Sequence, residues 1–340
     1  MKAWALCPSF FLYEYIEYGR VSHTKQKKGE IKMKYVRMVF VPCMFSFLCF
    51  CLAASTFAKQ DFPVHTIPSF QYEAKPQYYR DYSPKLSVTF LNVGQGDCTL
   101  IVLPNGKTIL IDGGPHEAGE AVVRKLEEKR IGGIDLVVST HPDIDHIGGL
   151  ITVLQQVPIR MVLDSGKRYN SYTYLEYIRT IRKRNIPFIF AKEGQYLPID
   201  PTVAIQVLNN GKAKEQNNEA SIVLKMRYKH ADFLLMGDAD TATEELIIKK
   251  YDVHADVLKV GHHGSYTSTS KSFLHSVHPQ FAVISYQKHN PYGHPHQVVR
   301  KRLRKYGIRI FSTAKHGDVE FVTDGKTIEI EGQLPLPLLK

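Results

Sequence analysis

The stretch that most constrains this chain is Asp135-Leu136-Val137-Val138-Ser139-Thr140 running straight into His141-Pro142-Asp143-Ile144-Asp145-His146, with Gly148-Gly149 close behind. An apolar run without polar alternation is the pattern of a strand covered on both faces, which points to an α/β layer structure. Pro142 disfavours a helical residue before it and predicts a loop over residues 141–146. That loop packs two imidazoles and two carboxylates into six residues. A loop at a strand end can turn alternate side chains toward one point, and carboxylate with imidazole is a ligand set for a divalent metal. The competing reading is a solvated acidic loop with incidental histidines. Against it stands the glycine pair, which implies that another piece of backbone packs tightly there.

The rest of the chain from residue 85 agrees with layered α/β architecture. Short β-branched runs at 86–93, 97–103 and 108–111, with Pro104-Asn105-Gly106 as a turn, predict a β-meander. Helical spacing appears at 118–129, and later strands at 161–163, 187–191, 203–208, 221–227, 233–236, 257–260 and 281–285 alternate with helices at 171–184, 241–250 and 297–306. No repeat at a solenoid period occurs. A chain of 340 residues has room for two domains or one with an appendage. Its 44% hydrophobic and 23% charged content excludes a disordered, collagenous or coiled-coil chain.

The appendage is N-terminal. Residues 38–58 carry no charge and are rich in Phe and Leu; Lys34 and Arg37 precede them, and small residues cluster at Ala53, Ala54, Ser55 and Ala58. This is the grammar of a secretory signal over 33–58, with cleavage after Thr56-Phe57-Ala58. The alternative is an uncleaved anchor that tethers the protein to the membrane, since 21 uncharged residues suffice to span a bilayer. Either reading places everything after Lys59 outside the cytoplasm, secreted or anchored at the outer face. Residues 1–32 show neither periodicity, and the codons for Lys27-Lys28-Gly29-Glu30 can form a purine-rich ribosome-binding sequence ahead of Met33; the expectation is a mis-called start, or else a short cytoplasmic tail. Residues 59–85 read as a linker and 333–340 as a tail. Four of the five cysteines lie in the leader, so Cys98 alone remains and no internal disulfide can form. Removing the 8 Lys/Arg and 3 Asp/Glu of residues 1–58 leaves 36 basic against 30 acidic groups, only mildly basic.

The motifs bring a specific resemblance. His141-Pro142-Asp143-Ile144-Asp145-His146 resembles the His-x-His-x-Asp-His loop of metallo-β-lactamase-fold hydrolases, with Asp143 where the second His would stand. That replacement, together with Asn92-Val93-Gly94-Gln95-Gly96-Asp97, Ile109-Leu110-Ile111-Asp112-Gly113-Gly114, Met236-Gly237-Asp238-Ala239, Leu258-Lys259-Val260-Gly261-His262-His263-Gly264-Ser265 and Asn290-Pro291-Tyr292-Gly293-His294-Pro295-His296, resembles the extracellular hydrolase domain of ComEC-type late-competence proteins. The resemblance covers about residues 86–330 and implies a single αββα sandwich, assigned to 86–332.

It also implies a site with two divalent ions, Zn2+ or Mn2+. His141, Asp143, Asp145, His146, Asp238 and His263 would be ligands, Asp238 bridging, with Asp112 bracing the metal loop as a hydrogen-bond acceptor. His263 is preferred to His262 because the family's terminal ligand stands directly before Gly; His262 would then face substrate. Asp145, His262 and His294 are the catalytic candidates, His262 or His294 serving to protonate the leaving group. His294 can also be read as a turn histidine, Ser265 as a substrate donor or a turn residue, and His296 as structural. The chain departs from the family in having no histidine between His146 and His230, so the first ion would rely on His141, Asp143 and Asp238 plus water or a further group such as Asp164, itself equally a turn residue. Carboxylates at 143, 145 and 238 harden the site toward manganese.

The expected activity is that of an exported phosphodiesterase or nuclease acting on DNA or another phosphodiester. A choline-phosphate or teichoic-acid-type esterase, and a non-catalytic nucleic-acid-binding module linked to competence, are the alternatives. Arg179, Arg182, Lys183 and Arg184 on one helix, and Arg300, Lys301, Arg302, Arg304 and Lys305 on another, with Tyr169, Tyr172, Tyr174 and Tyr177, suit phosphate tracking and base stacking, or simply form solvated faces. The sequence fixes no oligomeric state.

Overall fold

The computed structural model describes residues 84–211 and 215–330, with the backbone of 336–337. The expectations for 1–32, 33–58, most of the 59–85 linker and most of the 333–340 tail lie outside the described residues.

Strands β1 (Leu86–Phe90), β2 (Thr99–Val102) and β3 (Thr108–Ile111) form the expected meander, followed by α1 (Gly119–Glu128), β4 (Leu136–Ser139), α2 (Ile144–Gln156), β5 (Val162–Asp164), α3 (Tyr172–Lys183) and β6 (Phe188–Phe190). The second half contains β7 (Val203–Asn209), β8 (Val223–Tyr228), β9 (Ala231–Leu235), α4 (Thr241–Lys250), β10 (Val257–Lys259), α5 (Lys271–Val277), β11 (Phe281–Ile284), α6 (Gln297–Lys305), β12 (Arg309–Ser312) and α7 (Thr313–His316). The antiparallel strands β13 (Val319–Thr323), β14 (Thr327–Ile330) and β15 (Leu336–Pro337) then return to the first sheet. The sheets run β15-β14-β13-β1-β2-β3-β4-β5-β6 and β12-β11-β10-β9-β8-β7.

The central parallel strands of each sheet are buried on both faces, which is why they read as unbroken apolar runs. In β4, Leu136 and Val138 enter the core between the sheets while Val137 packs under α1, α2 and α3 with Val122, Leu150 and Ile181. In β10, Val257 faces the other sheet and Leu258 packs under α4, α5 and α6 with Ile247, Phe273 and Leu303. Phe321 of β13 lies at the centre, its ring 5.8 Å from Phe281, 5.9 Å from Phe311, 6.1 Å from Phe90 and 6.5 Å from Phe233. Burying one such ring contributes roughly 1.5–3 kcal/mol. The result is the αββα sandwich that the motifs imply.

Two differences from the sequence expectation matter. Residues 141–146 are not wholly a loop: Asp143 is the N-cap of α2, and Asp145 and His146 fall in or beside its first turn. Pro142 stops the helix one residue upstream of the cap rather than excluding it. The sequence pattern also overlooked α5 and the strands β12 to β14, of which β13 pairs with β1 from Leu86↔Thr323 to Phe90↔Val319. Helix α5 has only 7 residues, too few for a helical period to show.

Candidate metal centre

Strands β3 to β6 run parallel, as do β9 to β12. Their carboxyl ends carry the chemical groups: Asp112 follows β3, His141 follows β4, Asp238 follows β9, and His262-His263 follow β10. Side chains from both sheets therefore meet at one edge of the sandwich, where parallel sheets generally place their ligands. Asp112, His262 and His263 all have left-handed backbones, with φ of 58°, 48° and 51°. For residues with a Cβ this conformation costs of order 1–3 kcal/mol each, and it clusters where side chains must be aimed.

The glycine pair does what the sequence suggested. Gly113 donates its N–H to the His146 carbonyl (2.8 Å) and Gly149 to the Gly114 carbonyl (2.9 Å), drawing the β3–α1 connection onto the start of α2. A Cβ on Gly148 would stand 2.6 Å from the His116 nitrogen, and one on Gly149 would run into the Gly113 carbonyl oxygen.

Asp112 orients two imidazoles from one carboxylate. It accepts from the Thr140 N–H (2.9 Å), from the Thr140 hydroxyl (2.7 Å) and from His146 Nδ1 (2.8 Å). With its proton given to Asp112, the Thr140 hydroxyl is left to accept from His141 Nδ1 at 3.1 Å. His263 Nδ1 faces the Ser285 carbonyl at 3.0 Å, and because a carbonyl only accepts, that nitrogen carries the proton. Three imidazoles are thus held through Nδ1, the arrangement that leaves Nε2 as the ligating atom.

Those three Nε2 atoms, with Oδ1 of Asp238, are buried and have no hydrogen-bond partner among the described residues. Buried polar atoms are ordinarily satisfied, so orphans facing one another mark a place for an ion. Asp238 presents Oδ1 to His146 Nε2 at 3.3 Å and Oδ2 to His263 Nε2 at 3.4 Å, as a bridging carboxylate would; Asp145 Oδ2 lies 3.2 Å from His263 Nε2. His141, His146 and Asp238 form one ligand group, and Asp145, His146 and His263 another. The donor set fits divalent metal.

Charge is finely balanced. Burial opposes ionisation of Asp238, yet the His263 and His146 imidazoles hold its carboxyl well below the usual carboxylate range. Conversely, burial disfavours charge on His146 and His263, but Asp238 above all, with Asp112 at His146 and Asp145 at His263, raises both well above the ordinary imidazole value. A metal bound here would compete with protons for the same atoms, so its affinity would fall in acid.

Residues 91–289, more than half of the chain, match the Metallo-beta-lactamase superfamily. The chain belongs to that superfamily. It is 28% identical over 261 residues to ComE operon protein 3 of Bacillus subtilis (strain 168), spanning 72% of this chain and 34% of that protein. Recombination protein 2 of Haemophilus influenzae is 32% identical over 246 residues, 69% of this chain and 29% of its own length. Competence protein ComA of Neisseria gonorrhoeae is 30% identical over 260 residues, 74% and 34% respectively. The metallo-beta-lactamase domain is homologous to these ComEC-type competence proteins, and the chain spans about a third of the length of each.

Within this superfamily site the remaining candidates separate by position. Asp143 stands at the lip, Oδ2 3.4 Å from His141 Nε2 and Oδ1 accepting from Asn217 Nδ2 at 2.6 Å. His262 is partly exposed, its Nδ1 3.0 Å from the Thr267 hydroxyl, and its Nε2 stays 3.8 Å from Asp238. Burial, and then the positive field of the neighbouring histidines against Asp238, lowers its pKa. His294 lies beside it, ring centroids 5.4 Å apart, its pKa pushed down to about 4 by burial, His263, His262 and His296. Both are uncharged imidazoles at neutral pH. Asp164 belongs to neither ligand group: it accepts from the Gly166 N–H (2.7 Å) and the Tyr177 hydroxyl (3.3 Å), which is the turn reading, and burial raises its pKa to about 6. The Ser265 hydroxyl stands 3.0 Å from Thr267 Oγ1 and His296 Nδ1 accepts from the Tyr266 N–H at 3.1 Å, both within the loop structure. Among the basic helices, Arg302 donates to the Thr269 carbonyl at 3.0 Å, and Tyr177 is fully buried, so neither is available for nucleic acid.

Sequence reasoning missed a second tier of residues. Asp97, in the β1–β2 connection, lies with Oδ1 3.4 Å from His263 Nδ1 and Oδ2 2.8 Å from the ammonium of Lys259, which also donates to the Val260 carbonyl (2.9 Å). Both are almost fully buried and tie the two sheets together beneath the cluster. Burial opposes ionisation of Asp97, but Lys259 and His263 hold its pKa far below the ordinary value. The signal existed: a lysine inside a fully apolar strand is rarely buried without a partner. Ser221, whose hydroxyl accepts from the Asp238 N–H (3.0 Å) and touches His141 Nδ1 (3.3 Å), had no such signal. Nor had Asn217 and Asn218, in the interval without histidine.

Proposed function

We propose that this chain is an exported two-metal phosphodiesterase, acting on nucleic acid or a chemically similar phosphodiester. The observation that carries this reading is the set of buried, unpartnered Nε2 atoms of His141, His146 and His263 converging on Asp238, each ring held through Nδ1. Two divalent ions in such a set would supply a hydroxide nucleophile at neutral pH and a Lewis acid for the phosphoryl oxygens. His141, Asp143 and Asp238 would hold one, Asp145, His146, Asp238 and His263 the other. The carboxylates at 143, 145 and 238 favour Mn2+ over a strictly Zn2+ site.

The protein's own groups complete the chemistry. Asp112 fixes the orientation of His141 and His146 and keeps Nε2 as the free atom in each. His262 and His294, uncharged and at the open side of the cluster, are placed to give hydrogen bonds to phosphoryl and leaving-group oxygens. Export rests on the uncharged run at 38–58; among the described residues no helix is long and apolar enough to cross a membrane.

The test is an assay of the purified chain, stripped of metal and reloaded with Mn2+ or Zn2+, on bis(4-nitrophenyl) phosphate, single-stranded DNA and a choline-phosphate ester. Metal-dependent turnover of the diesters supports the reading. Turnover confined to the choline-phosphate ester would replace it with the esterase alternative, and DNA binding without any turnover would replace it with the binding module.

A further inference from the structure

Beside the metal cluster lies an open cavity of about 730 Å3. His294 forms part of its wall, and the His294 ring is 6.0 Å from that of His263, so the cavity is one imidazole away from the metal ligands. Among the described residues, Lys288, His289 and Arg300 line it and no acidic residue does. Lys288 and Arg300 are exposed and make no ion pair among the described residues. A hollow of this size exceeds what one phosphate needs and leaves room for an adjoining group, open to solvent.

The loop that forms it is built rather than slack. Asn290 Nδ2 donates to the carbonyls of Gln287 (2.8 Å) and His294 (2.7 Å), while its Oδ1 accepts from the N–H groups of Tyr292 (3.1 Å) and His294 (3.0 Å). The His296 N–H donates to the Gly264 carbonyl (2.9 Å), which fastens the loop to the turn that carries His262 and His263. Tyr292 stacks on His294 with centroids 5.6 Å apart and planes 24° apart, yet remains 61% exposed, so its outer face is open.

We propose that this cavity is a phosphate-and-base subsite for single-stranded nucleic acid. Lys288 and Arg300 take a phosphate adjoining the one at the metal cluster, and Tyr292, which does not line the cavity but stands on the same loop between the lining residues Pro291 and Gly293, stacks a base at its edge. The proposal deepens the phosphodiesterase reading and rests on it for the position of the scissile bond. The open tyrosine face decides the ligand class: a polyol-phosphate polymer offers the same phosphates but nothing to stack, whereas every base has a π face. A base must leave its duplex to reach such a platform, which selects a single strand.

The experiment measures binding of fluorescently labelled oligo-dT to the full chain in EDTA, by anisotropy over a range of salt, so that turnover cannot intervene. For the double variant Lys288→Ala/Arg300→Ala, binding should weaken and the salt slope should drop by about 1.4, the share of two phosphate contacts on a single strand. Tyr292→Ala should weaken binding by about 5-fold or more while leaving the slope unchanged. Lys301→Ala/Arg304→Ala removes two exposed cations of α6 that do not line the cavity, and should change binding much less. Equal losses from the two double variants would overturn the proposal in favour of diffuse surface charge. Poly(glycerol phosphate) competing as well as unlabelled oligo-dT, with no loss in Tyr292→Ala, would overturn it in favour of a polyol-phosphate ligand. Binding as stated by a protein that hydrolyses no diester in Mn2+ would support the subsite and overturn the phosphodiesterase reading alone.

Discussion

At the scale of single residues, the adjacent histidines 262 and 263 differ in position, and the proposed function gives them different roles. His263 is buried with its Nε2 toward Asp145 and Asp238, whereas His262 is partly exposed and turned to Thr267. His263→Ala should lose metal and activity together; His262→Ala should keep its metal and lose about 10²-fold or more in rate, as removal of a positioned donor does. Elemental analysis alongside kinetics checks this, and the reverse pattern would exchange the two roles. The sequence singled out this pair because two imidazoles before Gly264 match a known motif, but it gave no role to Asp97 or Lys259, whose partnership exists only once two sheets are stacked. Lys259→Met should cost roughly 3–5 kcal/mol, the penalty for a buried charge left without its partner, and Asp97→Asn added to it should recover much of that. Urea unfolding reads both, and a Lys259→Met midpoint equal to wild type would show that the pair carries no stability.

At the scale of elements, the site depends on how closely the β3–α1 connection lies on α2. Gly149→Ala should destabilise by about 1–3 kcal/mol and reduce metal occupancy, because the new methyl meets backbone that cannot rotate away. Gly132→Ala, where a Cβ would meet nothing within 4 Å, is the matched comparison and should change neither. A second tie joins the first sheet to the end of α1, where Glu320 of β13 accepts from the Ser87 hydroxyl (2.5 Å) and pairs with Lys129 (2.9 Å). Burial alone would raise its pKa, but the Ser87 and Lys129 contacts take it below the ordinary value. A carboxyl depressed on folding stabilises above its unfolded pKa, about 4.3, and loses that contribution as the pH falls through the lower folded value. Glu320→Gln should therefore unfold earlier than wild type at neutral pH, with the gap closing in acid. A constant gap from neutral pH to below the folded pKa would show that the ionised form contributes nothing.

At the scale of the whole molecule, the sequence was most legible where physics is local. Apolar strands covered on both faces, and the capped helices α3 and α4, appear close to where periodicity put them, Ser171 and Asp240 accepting from Tyr174 and Thr243 as N-caps should. What stayed hidden was non-local: β13 closing on β1 across more than 200 residues, and Asn217 and Ser221 arriving at the cluster from the β7–β8 connection. The candidate ligands were legible because they sit in short local motifs, 141–146 after β4, Asp238 after β9 and His263 after β10, while the hydrogen bonds that aim them were not. The central claim, that these ligands make a two-metal phosphodiesterase, is tested most directly by titrating Mn2+ into metal-stripped protein while following hydrolysis of bis(4-nitrophenyl) phosphate. The rate should start near zero and rise until about two equivalents are bound. Hydrolysis that persists without metal, or a protein that binds none, would contradict it.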